Sequence, residues 1–432
     1  LVNNIMAVIE QSVNFKFGYG PEEALPSQIT EGQVLFATDT KKQMIDVDGV
    51  RVVMGGGDSG SAAATDITNP ETCLIISESA FYESDITSAS FPNAIYIGKS
   101  AFAYCSDLSE ISFDNALYIE DSVFEHCTSL ASAGLPTVKH VGNFAFNYCS
   151  SLSSASFENA SYIGRDAFFK CISLASISLP NASYIGSYAF KGCSLASIDL
   201  PNASYIGLQA FYNCISLASI SLPNASYIGS YAFHGCSLAS ISLPNASYIG
   251  NSAFQGCSLA SISLPNVSYI GNSAFQGCSL ASISLPNVSY IGNYAFQECF
   301  SLMSVYICGT VIPITNGTAF SATPILNSTY TGSFGSIFVR PSMVEAFKAN
   351  SYWSLYSNRI TAIPGYIEEL PVASAADEGK ILQVDASGEW VIGEAAGGSY
   401  DPSNVADPDH CILIPKYAFS RSTITSASFK NV

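Results

Sequence analysis

The sequence predicts an α/β repeat solenoid: a stack of units of 21 or 22 residues with one short strand each, flanked by small β-rich modules. Three observations predict it. Phenylalanine recurs at Phe81, Phe102, Phe124, Phe146, Phe168, Phe190, Phe211, Phe233, Phe254, Phe275 and Phe296, always 21 or 22 residues apart. Cysteine keeps the same step from Cys105 to Cys299. Each unit also repeats Leu-x-x-Ile-x-Leu, as at Leu174, Ile177 and Leu179.

The elements of a unit follow in order. The Ile-x-Leu pair alternates as a half-buried strand does, so Ser176 and Ser178 face the other way. Pro180 and Asn181 end the strand. The stretch around Tyr184-Ile-Gly is expected to turn the chain, and Ala189 and Phe190 to lie on a short helical turn outside. Units with Cys-Ile-Ser-Leu (Cys171) are one residue longer than those with Cys-Ser-Leu (Cys193), an insertion that a turn tolerates. One such unit cannot bury its own apolar face, whereas stacked units share a continuous core with strands side by side in a parallel sheet.

The block Tyr-Ile-Gly-x-x-Ala-Phe-x-x-Cys-x-Leu-x-x-Ile-x-Leu-Pro resembles the BspA-like family of leucine-rich repeats, over about Cys73 to Ile307. The resemblance implies extracellular recognition or adhesion and supplies no catalytic residues.

The solenoid is expected to occupy 73–310 and its C-terminal cap 311–363. In the cap, a helix from about Ser342 to Ala349 would start on a capping box of Ser342 and Glu345, with Val344, Phe347 and Trp353 covering the open core. Residues 1–57 form a β-rich attachment module, with two strands in Gly32–Val53 around Asp48-Gly49, a hairpin signal. Residues 58–72 are a Gly-rich linker, and 364–398 a second small β module with a linker. Gly32–Val53 and Glu369–Val391 resemble elements of bacteriophage tail-fibre and baseplate proteins. Residues 399–432 parallel the start of the first array, since Asp407–Phe429 matches Asn69–Phe91, and read as a second array cut short.

Charge excludes several functions. Lys and Arg number 16 against 34 Asp and Glu, a net charge of −18, which disfavours nucleic acid and anionic membranes. No apolar run is long enough to insert in a membrane. The absence of any Cys-x-x-Cys pair argues against zinc, so the cysteine column reads as one small buried residue per unit. His126, His140, His234 and His410 show no metal spacing, and His140 stands where other units have Tyr. Asp39, Asp46 and Asp48 suit a hairpin turn better than a cation site. From Ile172 to Gln297 the charged residues are Lys191 and Asp199, too few for acid–base catalysis. The expectation is therefore no enzyme, no cofactor and no metal.

Seven Asn-x-Ser triplets, Asn159, Asn181 and Asn287 among them, recur because the turn after Pro recurs, rather than as glycan acceptors. The tyrosine column from Tyr96 to Tyr290 is either a packed ladder or a partly exposed aromatic stripe, with packing favoured. Candidate ligand-binding residues are those that break the monotony: Glu110 and Asp199 in the serine row, and Tyr188, Lys191, Tyr231, His234 and Tyr294 in the row of the outer turn. A polar, uncharged surface suits carbohydrate. The resemblances together point to a tail fibre or receptor-binding protein on a virion, homotrimeric, whose partners are other tail proteins and a host-surface carbohydrate or protein. The alternative is a BspA-like adhesin on a bacterial surface.

Overall fold

The computed structural model describes residues 73–315, 317–326 and 334–366, with the backbone of short strands elsewhere. The expected linkers, the second array from 399, Asp39, Asp48 and His410 lie outside the described residues. Near the N-terminus, Phe17–Gly20 runs parallel to Val34–Ala37, which pairs antiparallel with Lys42–Val47, and that strand with Val50–Met54. The last pair sets Val47 opposite Val50. Gly32–Val53 thus carries parts of three strands where two were expected. Ile381–Val384 and Trp390–Gly393 form another antiparallel pair.

The repeats stack as coils with all strands parallel. Each coil carries two strands, not one. The serine strand, such as Ser219–Ser221, was expected. The second is Tyr-Ile itself, such as Tyr227–Ile228, in the stretch read as a turn. These two-residue strands make the longest sheet, eleven strands from Ile75–Ile76 to Tyr290–Ile291, in unbroken register with Tyr on Tyr and Ile on Ile, except that Ile75 and His140 take the Tyr position and Val141 the Ile position. The serine strands instead pair in groups of two to four. Pairing lapses before Ser132–Gly134, Ser197–Asp199, Ser240–Ser242 and Ser282–Ser284. Two-residue strands escaped the sequence reading because they are too short to show alternation.

The outer turn is not helical. Gln209 and Asn213 take left-handed φ values of 53° and 56°, and their equivalents do so in coil after coil. The amides of Gln209, Phe211 and Asn213 donate to Ser230, Ala232 and His234 of the next coil at 2.8–2.9 Å. Those between them, from Ala210, Tyr212 and Cys214, turn back three residues along the chain. A helix would spend all these donors within its own turn, leaving none to hold the next coil. Among the described residues the only α-helix is Val344–Ala349, in the cap.

The core is built from columns. Phe190, Phe211, Phe233 and Phe254 are fully buried and stack at 5.2–5.3 Å between ring centroids. Burying each such ring stabilises the fold by about 1.5–3 kcal/mol. Cysteine does more than fill space. The Cys214 thiol donates to the Phe190 carbonyl at 3.0 Å, and the same bond recurs from Cys105 to Cys299 at 2.9–3.3 Å. Each Phe carbonyl thus accepts from its own coil's Cys amide and from the next coil's thiol. After Tyr-Ile stands glycine, because a Cβ on Gly229 would lie 2.6 Å from the carbonyl carbon and oxygen of Gly207 one coil back.

The cap closes this core. Phe347, Trp353 and Tyr356 are fully buried, Val344 is partly so, and the Trp353 indole donates to the Pro313 carbonyl at 2.8 Å. The expected capping box does not form. Pro341–Met343 makes a 3-10 turn first, Ser342 sits inside it, and the helix begins at Val344 without a side-chain cap. Proline at the first position, with φ already set, starts the turn ahead of Ser342.

Gly229→Ala should lower stability by about 1–3 kcal/mol through backbone displacement, as overpacking does. Urea denaturation followed by circular dichroism would read this; an unchanged midpoint would mean the coils are not so closely spaced.

Candidate binding surface

The coils present three lateral faces of different chemistry. The tyrosine column turns out to be both ladder and stripe. Its rings are half-exposed and stack face to face: His140–Tyr162, Tyr184–Tyr205 and Tyr227–Tyr248 have centroids 4.5–4.7 Å apart and planes within 4°. Each ring covers its neighbours' faces, so what remains accessible is the phenol edge and hydroxyl. A sugar cannot stack on faces that are already paired. Beside this column, Ser183, Ser204, Ser226 and Ser247 donate their hydroxyls to the preceding coil's backbone at 3.1–3.3 Å. The asparagine after each Pro is also committed: Asn202, Asn224 and Asn245 donate through Nδ2 to the preceding Pro carbonyl at 2.7–2.8 Å. This nitrogen is the one a glycan would need, so the triplets serve the turn.

The serine strand face differs. Ser219, Ser221, Ser240, Ser242, Ser261 and Ser263 are exposed, and none of their hydroxyls has a partner among the described residues. Two columns of hydroxyls therefore run along three coils in backbone register, Ser240 on Ser261 and Ser242 on Ser263. All but Ser221 line a shallow open groove of about 490 Å³. Of the sequence candidates, Asp199 is exposed on this face, in register with Ser221, and Glu110 lies exposed at its N-terminal end, in register with Ser88. Further along, Glu158 accepts from both Ser156 and Ser178, so there the hydroxyls are spoken for.

The remaining candidates sit on the outer turn. Tyr188, Lys191, Tyr231 and His234 come together across three coils, while Tyr294 lies apart, three coils on. Lys191 donates to Gln209 Oε1 at 2.7 Å, and its ammonium lies 4.6 Å from the Tyr212 ring centroid, 5.2 Å from Tyr188 and 6.0 Å from Phe169. His234 stacks on Tyr212 at 4.8 Å and meets Tyr231 edge-on at 5.8 Å. Burial holds the His234 imidazole below its ordinary value. The sequence reading missed Phe169 and Tyr212. Both occupy the position right after the buried Phe, the position of Lys191 and His234, which was the available signal.

On the same turn, toward the N-terminus, Tyr82, Tyr104, His126, Tyr148 and Phe169 continue as a string of neighbouring rings 4.7–5.6 Å apart. Residues 73–171 hold eleven Asp and Glu against Lys99, Lys139, Arg165 and Lys170, so this half is acidic. Among the described residues, no three His, Cys, Asp or Glu converge as a metal ion would require, and no helix is long and apolar enough to cross a membrane.

The chain belongs to the BspA type leucine rich repeat family, which it matches over residues 59–153, 139–246 and 226–340. Proteins of this family are typically surface or binding proteins. Among solved structures, it is similar to a leucine-rich repeat protein from Bacteroides ovatus, with 25% identity, 67% of this chain and 88% of the other covered, and a TM-score of 0.40. It is also similar to a leucine rich cell surface protein from Faecalibacterium prausnitzii, with 23% identity, 76% and 98% covered, and a TM-score of 0.38. A third is the pneumococcal vaccine antigen PcpA, with 17% identity, 67% and 69% covered, and a TM-score of 0.37. No curated protein matches the chain.

Burial pushes the Cys105 thiol up to about 11 and those of Cys214, Cys257 and Cys299 up to about 12, above the ordinary 9.0. The folded state keeps protons that the unfolded chain loses, so these thiols contribute stability fully below pH 9, and it declines as pH climbs from about 9 toward 12. The thermal midpoint should therefore hold steady from pH 7 to 8.5 and fall steeply beyond pH 9. A midpoint flat to pH 11 would contradict the buried ladder.

Proposed function

We propose that this chain is a non-catalytic binding protein whose serine strand face engages an uncharged polymeric glycan of a host-cell surface, and that it is mounted on a phage tail as a fibre. The observation that carries the binding reading is the pair of hydroxyl columns from Ser219 to Ser263, exposed and without partners among the described residues. A hydroxyl both donates and accepts, as sugar hydroxyls do, and it loses less than a charge on leaving water. The columns repeat with every coil, so a linear polymer lying along the axis meets the same donors and acceptors again and again. Low affinity per coil then adds up along the chain.

The mounting rests on the likeness of Gly32–Val53 and Glu369–Val391 to tail-fibre elements, and on it rests the expectation of a homotrimer. The second reading, a BspA-like adhesin on a bacterial surface, is favoured by the family itself. Both use the same face.

Binding to a panel of immobilised host-surface polysaccharides is the direct test. Ser221→Asp combined with Ser242→Asp puts two charges into the face and should weaken binding at least tenfold, about 1.4 kcal/mol. Tyr294→Ala, on another face, should leave it unchanged. Equal binding by the Ser variant would remove this face from the reading. Electron microscopy with an antibody to residues 73–363 separates the two mounts: label on tails supports the fibre, and label on cell envelopes alone supports the adhesin.

A further inference from the structure

The serine face carries a seam that returns every second coil. Ser197–Asp199 pairs with Ser219–Ser221, and Ser240–Ser242 with Ser261–Ser263, but Ser219–Ser221 does not pair with Ser240–Ser242. Pairing is broken in the same way before Ser197–Asp199 and before Ser282–Ser284, two coils away on either side. The leucine after each strand follows the same alternation. Leu200, Leu243 and Leu285 donate their amides to the carbonyls of Ser221, Ser263 and Tyr306 in the next coil at 2.8–3.1 Å. The amides of Leu179, Leu222 and Leu264 make no such bond among the described residues. At the central seam, the Leu222 N–H and the Ser242 carbonyl are therefore a donor and an acceptor that do not meet.

This seam is also where the face is hollow. The groove of about 490 Å³ crosses it, with Ser219 on one side and Ser240 on the other. A second hollow of about 290 Å³ lies between Ser221, Leu222 and Pro223 on one side and Ser242 and Pro244 on the other. Ile220, Ile241 and Ile262 form the floor between the two serine columns.

These features constrain a ligand in three ways. Backbone groups left unmatched in a sheet are met by a group that both donates and accepts, as a hydroxyl does. From Ser219 to Ser263 the sequence holds no Asp, Glu, Lys or Arg, so the matching ligand is neutral. The pattern returns every two coils, about 10 Å at the usual strand spacing of about 4.8 Å. A chain of hexoses joined by β-1,4 bonds runs straight, because both bonds to each ring are equatorial. Alternate rings are turned over, so such a chain repeats every second sugar over a similar length. An α-1,4-linked chain curls and leaves this register.

We propose that the glycan of the serine face is a linear, neutral β-1,4-linked hexose polymer, laid along the solenoid with one sugar per coil and one disaccharide per seam. This rests on the reading of that face as a glycan-binding surface. At the central seam a sugar hydroxyl accepts from the Leu222 N–H and donates to the Ser242 carbonyl. Hydroxyls at the ring edges exchange bonds with the serine columns, and the C–H face of the ring lies over the isoleucine floor.

The test is NMR of the full chain with isotope-labelled leucine amides, titrated with cellohexaose, β-1,4-mannohexaose and N-acetylchitohexaose, and with maltohexaose as the α-linked control. Before sugar is added, the Leu222 amide should exchange with deuterium at least tenfold faster than those of Leu200 and Leu243. Equal protection means a closed seam and overturns the proposal. At least one β-1,4-linked hexamer should bind at least tenfold more tightly than maltohexaose and shift the Leu222 signal more than those of Leu200 and Leu243. Its affinity should rise from the disaccharide to the tetramer to the hexamer. Equal binding of maltohexaose overturns the proposal, as does failure of all three β-linked hexamers to bind. Failure here is distinct from failure of the glycan reading. An α-linked polysaccharide whose binding is lost with Ser221→Asp and Ser242→Asp would sink the linkage and keep the face, whereas indifference to those substitutions would remove the face itself.

Discussion

Every coil exchanges backbone hydrogen bonds with the coils on either side, and the resulting spacing of about 4.8 Å is the constraint on which the rest depends. It fixes what each position can hold. Glycine follows Tyr-Ile because neighbouring backbones there leave no room for a Cβ. Phenylalanine fills the interior because a flat ring stacks on its copy at that spacing, slightly offset, as the ring quadrupole prefers. The thiol of each Cys reaches back to a Phe carbonyl one coil away, which turns a small core residue into a fastener between coils.

The same spacing shapes the exterior. A column of identical side chains is brought within contact distance of itself, so it either satisfies its own polar groups or presents them all. The serines before Tyr and the asparagines after Pro do the first, bonding to the backbone of the preceding coil. The strand serines from Ser219 to Ser263 do the second. Charge is poorly suited to such columns, since a charge repeated every coil repels itself. This accounts physically for a long surface kept wet by hydroxyls and amides. Glu158 is bridged by two serines and Lys191 enclosed by three rings.

Much of this was legible in the sequence. The period gave the solenoid, the Phe and Cys columns gave the core, and Ser-x-Ser gave an exposed strand row. Phe347 and Trp353 were recognisable as a lid because they follow the last repeat. The candidate surface was only half legible. Tyr188, Lys191, Tyr231 and His234 stood out as departures from the repeat, but Phe169 and Tyr212 did not, since an aromatic beside the recurring Phe position looks like core. That they enclose an ammonium depends on side chains from three successive coils.

By itself the sequence determined the period, the columns and which residues face inward, because a repeated pattern of apolar residues has one way to be buried. Only the tertiary structure decided how the backbone travels between columns. The outer turn alternates left-handed residues instead of winding a helix, and Tyr-Ile pairs as strand instead of turning. Both follow from hydrogen bonds between coils, made by residues 21 or 22 apart in sequence, which no local propensity records. The tertiary structure also decided which hydroxyls are free. Ser221 and Ser226 are the same residue type in the same repeat, and only the position of the neighbouring carbonyl separates a bonded hydroxyl from one open to a ligand.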